Sequence, residues 1–170
     1  AGTYTIYANY SGDTNYAPAQ DNITITVAKA SNEITVYAQD VIYGEDVTIT
    51  IIADADGEYN LNINGKKFVI HVLNGIGIVN LGIMDTGNYT VQVIFTGNDN
   101  YNASANKTTF EVIKTETNFN IIVNDSSITY GDLITVTQSL PGDATGSITY
   151  YFANGTIIKV ITVDDSFILA

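Results

Sequence analysis

The side chains able to do chemistry in this 170-residue chain are few and scattered. His71 is the single histidine and lies between Ile70 and Val72, where alternation makes it an ordinary strand residue. A catalytic base needs an oriented partner and a nucleophile within reach, and no G-x-S-x-G elbow or phosphate-binding loop accompanies it. No cysteine is present, which removes thiol nucleophiles, disulfides and cysteine-based metal sites. The expectation is therefore a chain with no enzymatic activity. Oxygen ligands are more plentiful. Asp13 with Asn15, and Asp99 with Asn98 and Asn100, offer carboxylate and amide oxygens of the kind Ca²⁺ favours, and Asp164-Asp165 is a similar pair. The spacing is not that of an EF-hand, and Asn, Asp and Gly also close turns by bonding their own backbone. Asp13 and Asp99 thus stand as candidate Ca²⁺ ligands beside a turn reading, and no other cofactor is expected.

A second chemistry is modification. The sequon N-x-S/T occurs at Asn9, Asn22, Asn88, Asn102, Asn106, Asn124 and Asn154, more often than chance pairing of these residue types would give. These are candidate N-glycosylation sites; the alternative is that Asn and Thr recur together on loops and strand faces. The formal net charge is −12, with six Lys and no Arg. Nucleic acid as a partner is excluded for want of cations to neutralise phosphates, and an anionic membrane surface would repel the chain. No apolar run approaches the roughly 20 residues of a spanning helix, so no membrane insertion is expected within this sequence.

The elements that would carry these residues are strands. Thr, Ile, Val and Tyr are abundant and suit a pleated, half-buried surface. Period-two sets run through Ile34, Val36 and Ala38; Val47, Ile49 and Ile51; Tyr89, Val91, Val93 and Phe95; and Phe110 and Val112. Asn64-Gly65 and Asn74-Gly75 are hairpin signals. The sequence also repeats itself. Tyr4-Thr5-Ile6 returns as Tyr89-Thr90-Val91, Ser11 to Tyr16 as Thr96 to Tyr101, and Val27-Ala28-Lys29 as Val112-Ile113-Lys114, all 85 residues on. Tyr43-Gly44-Glu45 returns as Tyr130-Gly131-Asp132, and Asn64-Gly65 as Asn154-Gly155, at offsets of 87 and 90. A period near 85 fits a sandwich of seven short strands. One whole repeat is predicted over 30–114, with strands near 33–39, 46–53, 58–64, 66–73, 75–82, 88–96 and 106–113. Residues 1–29 are expected to be the last two strands of a preceding repeat, and 115–170 the first five of a following one.

Asp85-Thr86-Gly87-Asn88-Tyr89 precedes the sixth strand, and Gly2-Thr3-Tyr4 repeats its end. In immunoglobulin-type sandwiches a tyrosine at this corner bonds back to upstream backbone. Gly87 allows the turn and Asp85 can cap it, so Tyr4 and Tyr89 are both expected to have buried rings with backbone-bonded hydroxyls. With this corner, the Tyr-Gly-Glu/Asp turn and the G-D-x-N-Y loop, the sequence resembles the bacterial and archaeal Ig-like repeats of large adhesin-like surface proteins, most closely those of methanogenic archaea. The fold class expected is all-β, tandem immunoglobulin-like antiparallel β-sandwich repeats. The resemblance implies an extracellular, cell-surface stalk or adhesion segment without catalysis, whose partners are neighbouring Ig-like repeats and a cell-surface or glycan ligand. Some surface domains of this kind carry Lys–Asn isopeptide bonds, for which Lys29 and Lys114 are the lysines at repeat ends. Two other functions compete: a filament or sheath block assembled by strand complementation, and a carbohydrate-binding accessory module using exposed Tyr7, Tyr37 and Tyr150-Tyr151.

Overall fold

The computed structural model describes residues 1–163 and the backbone of 167–169. Among these residues every regular element is a strand. The chain divides into two compact units, Ala1–Thr115 and Glu116–Ala170.

The first unit opens with a hairpin, β1 (Gly2–Tyr10) and β2 (Ala19–Val27), paired from Gly2↔Val27 to Tyr10↔Ala19. Alternation sorts its side chains by face. Tyr4, Ile6 and Tyr10 share one face with Ile23, Ile25 and Val27, while Thr3 faces Thr26 and Thr5 faces Thr24 on the other. Both Thr pairs are joined by hydroxyl hydrogen bonds, at 3.4 and 3.2 Å. The apolar face is left exposed, and among the described residues neither strand pairs with any other.

The rest of the unit is two sheets around one core. β3 (Ile34–Ala38), β5 (Asp46–Ala53) and β8 (Ile76–Ile83) form the smaller sheet, with β5 central. The larger runs β4 (Val41–Ile42), β10 (Ser104–Ile113), β9 (Gly87–Phe95), β6 (Gly57–Ile63) and β7 (Lys66–Val72). Period-two sets from both sheets meet inside: Ile34, Val36, Val47, Ile49 and Ile51 against Tyr59, Leu61, Val91, Val93, Phe95, Phe110 and Val112. Burying such a side chain contributes on the order of 1.5–3 kcal/mol, which is why one-residue slips of register are not tolerated. The predicted strands all occur within a residue or two. The two-residue β4 was not foreseen; it is a strand because it pairs in parallel with the end of β10, Val41 with Val112 and Ile42 with Ile113. The turn that follows is pinned at both ends, Glu45 N donating to Ile42 O and Ile42 N to the Glu45 carboxylate. Gly44 sits at its apex with φ +101°.

The second unit contains β11 (Asn120–Val123), β12 (Ile134–Ser139), β13 (Ser147–Tyr151), β14 (Ile157–Thr162) and β15 (Phe167–Leu169). Their order is β11-β12-β15 in one sheet and β13-β14 in another. Among the described residues this core is small: Val136, Tyr150 and Ile161 are its buried members, and Ile121, Ile122, Leu133, Tyr151, Ile157 and Val160 stay exposed. The Tyr130-Gly131 turn has the same closure as its earlier counterpart, Asp132 N to Thr129 O and Thr129 N to the Asp132 carboxylate, with Gly131 at φ +99°. Residues 128–129 before it are not a strand.

Candidate functional site

The loop holding Asp13 is closed by the residues proposed as metal ligands. Asp13 Oδ1 accepts from Asn15 N at 2.8 Å and Tyr16 N at 2.9 Å, and Oδ2 accepts from the Tyr10 hydroxyl at 2.7 Å. The Tyr10 bond, with the two amides behind it, holds the Asp13 carboxyl below its ordinary pKa and raises the phenol of Tyr10. In the later copy Asn98 stands at the Asp13 position and does the same with an amide oxygen, accepting from Asn100 N and Tyr101 N at 2.9 and 2.8 Å. Both loops are thus Asx turns, and Asp99 is the next residue rather than the turn-closing one. Among the described residues no three His, Asp or Glu side chains converge as a metal-ligand group. Asp164-Asp165 lie outside the described residues.

At the corner before β9, the Tyr89 hydroxyl donates to Asp85 O at 2.8 Å, and the ring stacks on Phe110 with centroids 5.1 Å apart. The ring is half-buried rather than buried, because it borders an open cleft of about 240 Å³ edged by Lys66, Phe68 and Met84. Gly87 and Asp85 lie where the turn requires them, Asp85 serving through its main-chain oxygen. Tyr4 departs from expectation. Its ring is 53% exposed. It occupies the same register position as Tyr89, opposite Ile25 as Tyr89 is opposite Phe110, but among the described residues no second sheet covers its hairpin.

The remaining residues lie apart. His71 is exposed on β7, 3.9 Å from the Glu58 carboxylate opposite it. Lys29 and Lys114 are both exposed, so neither sits in the buried trio an isopeptide bond requires. All seven sequon asparagines are exposed. They differ in what the side chain does: Asn106 Nδ2 donates to Ile34 O at 2.5 Å and Asn102 Nδ2 to Lys29 O at 3.4 Å, while Asn124 and Asn154 accept through Oδ1. Of the tyrosines considered as a platform, Tyr7, Tyr37 and Tyr151 are exposed, but Tyr150 is buried with its hydroxyl on Gln138 Oε1 at 2.9 Å. Strand alternation sends neighbours 150 and 151 to opposite faces.

Sequence reasoning missed two polar devices. Asn32, the buried polar residue of the core, donates to the Tyr59 hydroxyl and to Ser104 Oγ, both at 3.0 Å, and accepts from Ala55 N at 2.9 Å. Tyr59, fully buried and stacked on Phe95, donates onward to Ala55 O at 2.7 Å. Nothing in Ser31-Asn32-Glu33 marks this burial, although a Tyr at a core-facing strand position always poses the question of its hydroxyl's partner. Asn64, noted only as a turn residue, also clamps β9, donating to Asn88 O and accepting from Thr90 N.

No family model matches the chain, and no curated protein matches it. Solved structures do match. One is the crystal structure of a protein described as membrane anchored from Corynebacterium diphtheriae, 18% identical with a TM-score of 0.42. The match covers 79% of this chain and 36% of that one, so this chain spans about a third of that protein's length. A likeness of that size carries no functional argument.

Proposed function

We propose that the chain is a non-catalytic structural segment of a cell-surface, adhesin-like protein, an extracellular stalk or adhesion module built of tandem immunoglobulin-like repeats. One observation carries the reading. The β1–β2 and β9–β10 hairpins are paired in identical register 85 residues apart, Tyr4↔Ile25 with Tyr89↔Phe110 and Tyr10↔Ala19 with Phe95↔Ser104. The loops at their tips close by the same Asx bonds, and the Tyr-Gly turns at 43 and 130 by the same pair of bonds. Repetition of the hairpin, its tip loop and the Tyr-Gly turn, with acids and amides committed to turn closure, supports a scaffold rather than a catalyst. Antibodies raised against the chain should label intact cells of the native source, and surface proteolysis should remove the label. Labelling that requires permeabilised cells would overturn the proposal.

A further inference from the structure

Two turns of the sandwich carry the dipeptide Asn-Gly. Asn64-Gly65 joins β6 to β7, and Asn74-Gly75 joins β7 to β8. Both asparagines have left-handed backbone, φ 47° and 52°, and the glycines follow at φ 93° and 81°. With no side chain on the glycine, its nitrogen is unshielded and can act as an intramolecular nucleophile toward the asparagine amide carbon. The two turns share this sequence and backbone, yet they are held in opposite ways.

At position 64 the electrophile is held. Asn64 Nδ2 donates to Asn88 O at 3.0 Å and Oδ1 accepts from Thr90 N at 2.9 Å, so both ends of the amide are committed to β9. Gly65 N donates to Asn62 Oδ1 at 2.7 Å, an amide oxygen that takes no proton at neutral pH. The turn also ends an unbroken ladder running from Ile63↔Lys66 to Gly57↔Val72. At position 74 the nucleophile is held instead. Gly75 N donates to Asp56 Oδ1 at 3.0 Å, and Gly75 O accepts from Ala53 N at 3.0 Å. The Asn74 side chain is exposed, and no hydrogen bond to another described residue holds it. This turn passes from the larger sheet to the smaller, closed by the isolated bridge Leu73↔Ile76.

We propose that Asn74 is a site of spontaneous self-modification: Gly75 N attacks Asn74 Cγ, Asp56 relays the proton, and the succinimide so formed is opened by water to aspartate or isoaspartate. The bond from Gly75 N to Asn74 Cγ forms and the bond from Cγ to Nδ2 breaks. The proton that Gly75 N passes to Asp56 Oδ1 moves on to Nδ2, which leaves as ammonia. Water is the only other reactant. A carboxylate already bonded to the attacking nitrogen is placed as a general base, and with Gly75 fixed at both N and O only Asn74 has to move into contact. Water entering at the side-chain carbonyl gives aspartate; entering at the main-chain carbonyl it gives isoaspartate, whose chain runs through Cβ and lengthens the turn. Either product adds a carboxylate beside Asp56, so older molecules carry a charge that new ones lack.

Lys66 and Lys67 lie between the two turns, so tryptic peptides of the incubated full chain report them separately. At neutral pH the Asn74 peptide should gain its acid and isoaspartate forms at least about tenfold faster than the Asn64 peptide, which must first break two hydrogen bonds. In urea, where neither turn is formed, the two should react at similar rates. Asp56→Ala should slow Asn74 in the folded chain by about tenfold, less than a base of matched pKa supplies, and Asp56→Glu should restore part of the rate. Three results would overturn the proposal: Asn64 keeping pace with Asn74 in the folded chain, Asn74 remaining an amide while the urea-unfolded chain converts, or Asp56→Ala reacting as fast as the unaltered chain.

Discussion

Two tyrosines differ in how much their hydroxyls matter. Tyr59→Phe strands two buried partners, Ala55 O and Asn32 Nδ2, and should lower stability by about 1–3 kcal/mol, the penalty for unsatisfied buried groups. Tyr89→Phe frees Asp85 O at an exposed corner where water can replace the phenol, so its loss should be about 0.5–1 kcal/mol. Urea unfolding of the two variants checks the order; equal losses would contradict it. Charge gives a second contrast. The bonds from Tyr10, Asn15 and Tyr16 depress the Asp13 carboxyl, so their contribution is present above the ordinary carboxylate value of 3.8 and fades as pH falls through the depressed one. In the later loop the turn-closing position is taken by the Asn98 amide, which cannot titrate. Acid titration by NMR should move the Asn15 and Tyr16 amides, whose acceptor gains a proton, while the Tyr101 amide, bonded to an amide oxygen, stays in place. The residues of these loops were legible in the sequence, but the bonds they make were not: Asp-x-Asn supplies oxygens to a cation and to a turn alike, and the turn bonds are visible only in the folded loop. Asn32 was illegible because its burial is set by Tyr59 and Ser104, 27 and 72 residues away.

Turns and strands were legible to different degrees. The strands of the 34–113 sandwich follow from period-two apolar sets, since only one register buries them. β4 could not be read from Val41-Ile42, because a two-residue strand owes its existence to the partner it meets, and residues 128–129 lack both. Tyr4 shows the same dependence in a side chain, with the corner sequence present and the covering sheet absent. The glycines test the turns. Gly97 has φ +88°, and a Cβ there would lie 3.0 Å from Ala103 N and 3.2 Å from Tyr101 O, inside the Asx loop. Left-handed backbone costs a non-glycine residue about 1–2 kcal/mol before any clash, so Gly97→Ala should destabilise by at least that. Gly44, at φ +101°, has open space around it, so Gly44→Ala should carry the backbone cost alone and lose less. Thermal unfolding of the pair measures the difference; a Gly44→Ala loss as large as that of Gly97→Ala would refute the crowding argument.

At the scale of the molecule, the chain holds two cores of very different size. Seventeen buried residues form the sandwich core, whereas three form the core of the Glu116–Ala170 unit among the described residues. Conformational entropy is lost by every ordered residue alike, while apolar burial offsets it only where the core is filled. Local opening therefore concentrates where buried contacts are few. In dilute solution, amide hydrogen exchange should be slowest in β5, β6, β9 and β10, which supply most of the buried side chains of the sandwich core. β11 to β14 should exchange faster by orders of magnitude, as should β1 and β2, whose apolar side chains are exposed and which pair only with each other. Denaturant should accordingly unfold the chain in two steps, the Glu116–Ala170 unit first, with the Tyr59 environment changing only in the second. The substitution Val93→Ala, which hollows the sandwich core, should shift the second step by about 1–3 kcal/mol and leave the first unmoved, since loss of buried methyl groups acts on the core that contains them. A single transition in which both regions lose protection together, or a first step that moves with Val93→Ala, would show that the two cores stand or fall as one.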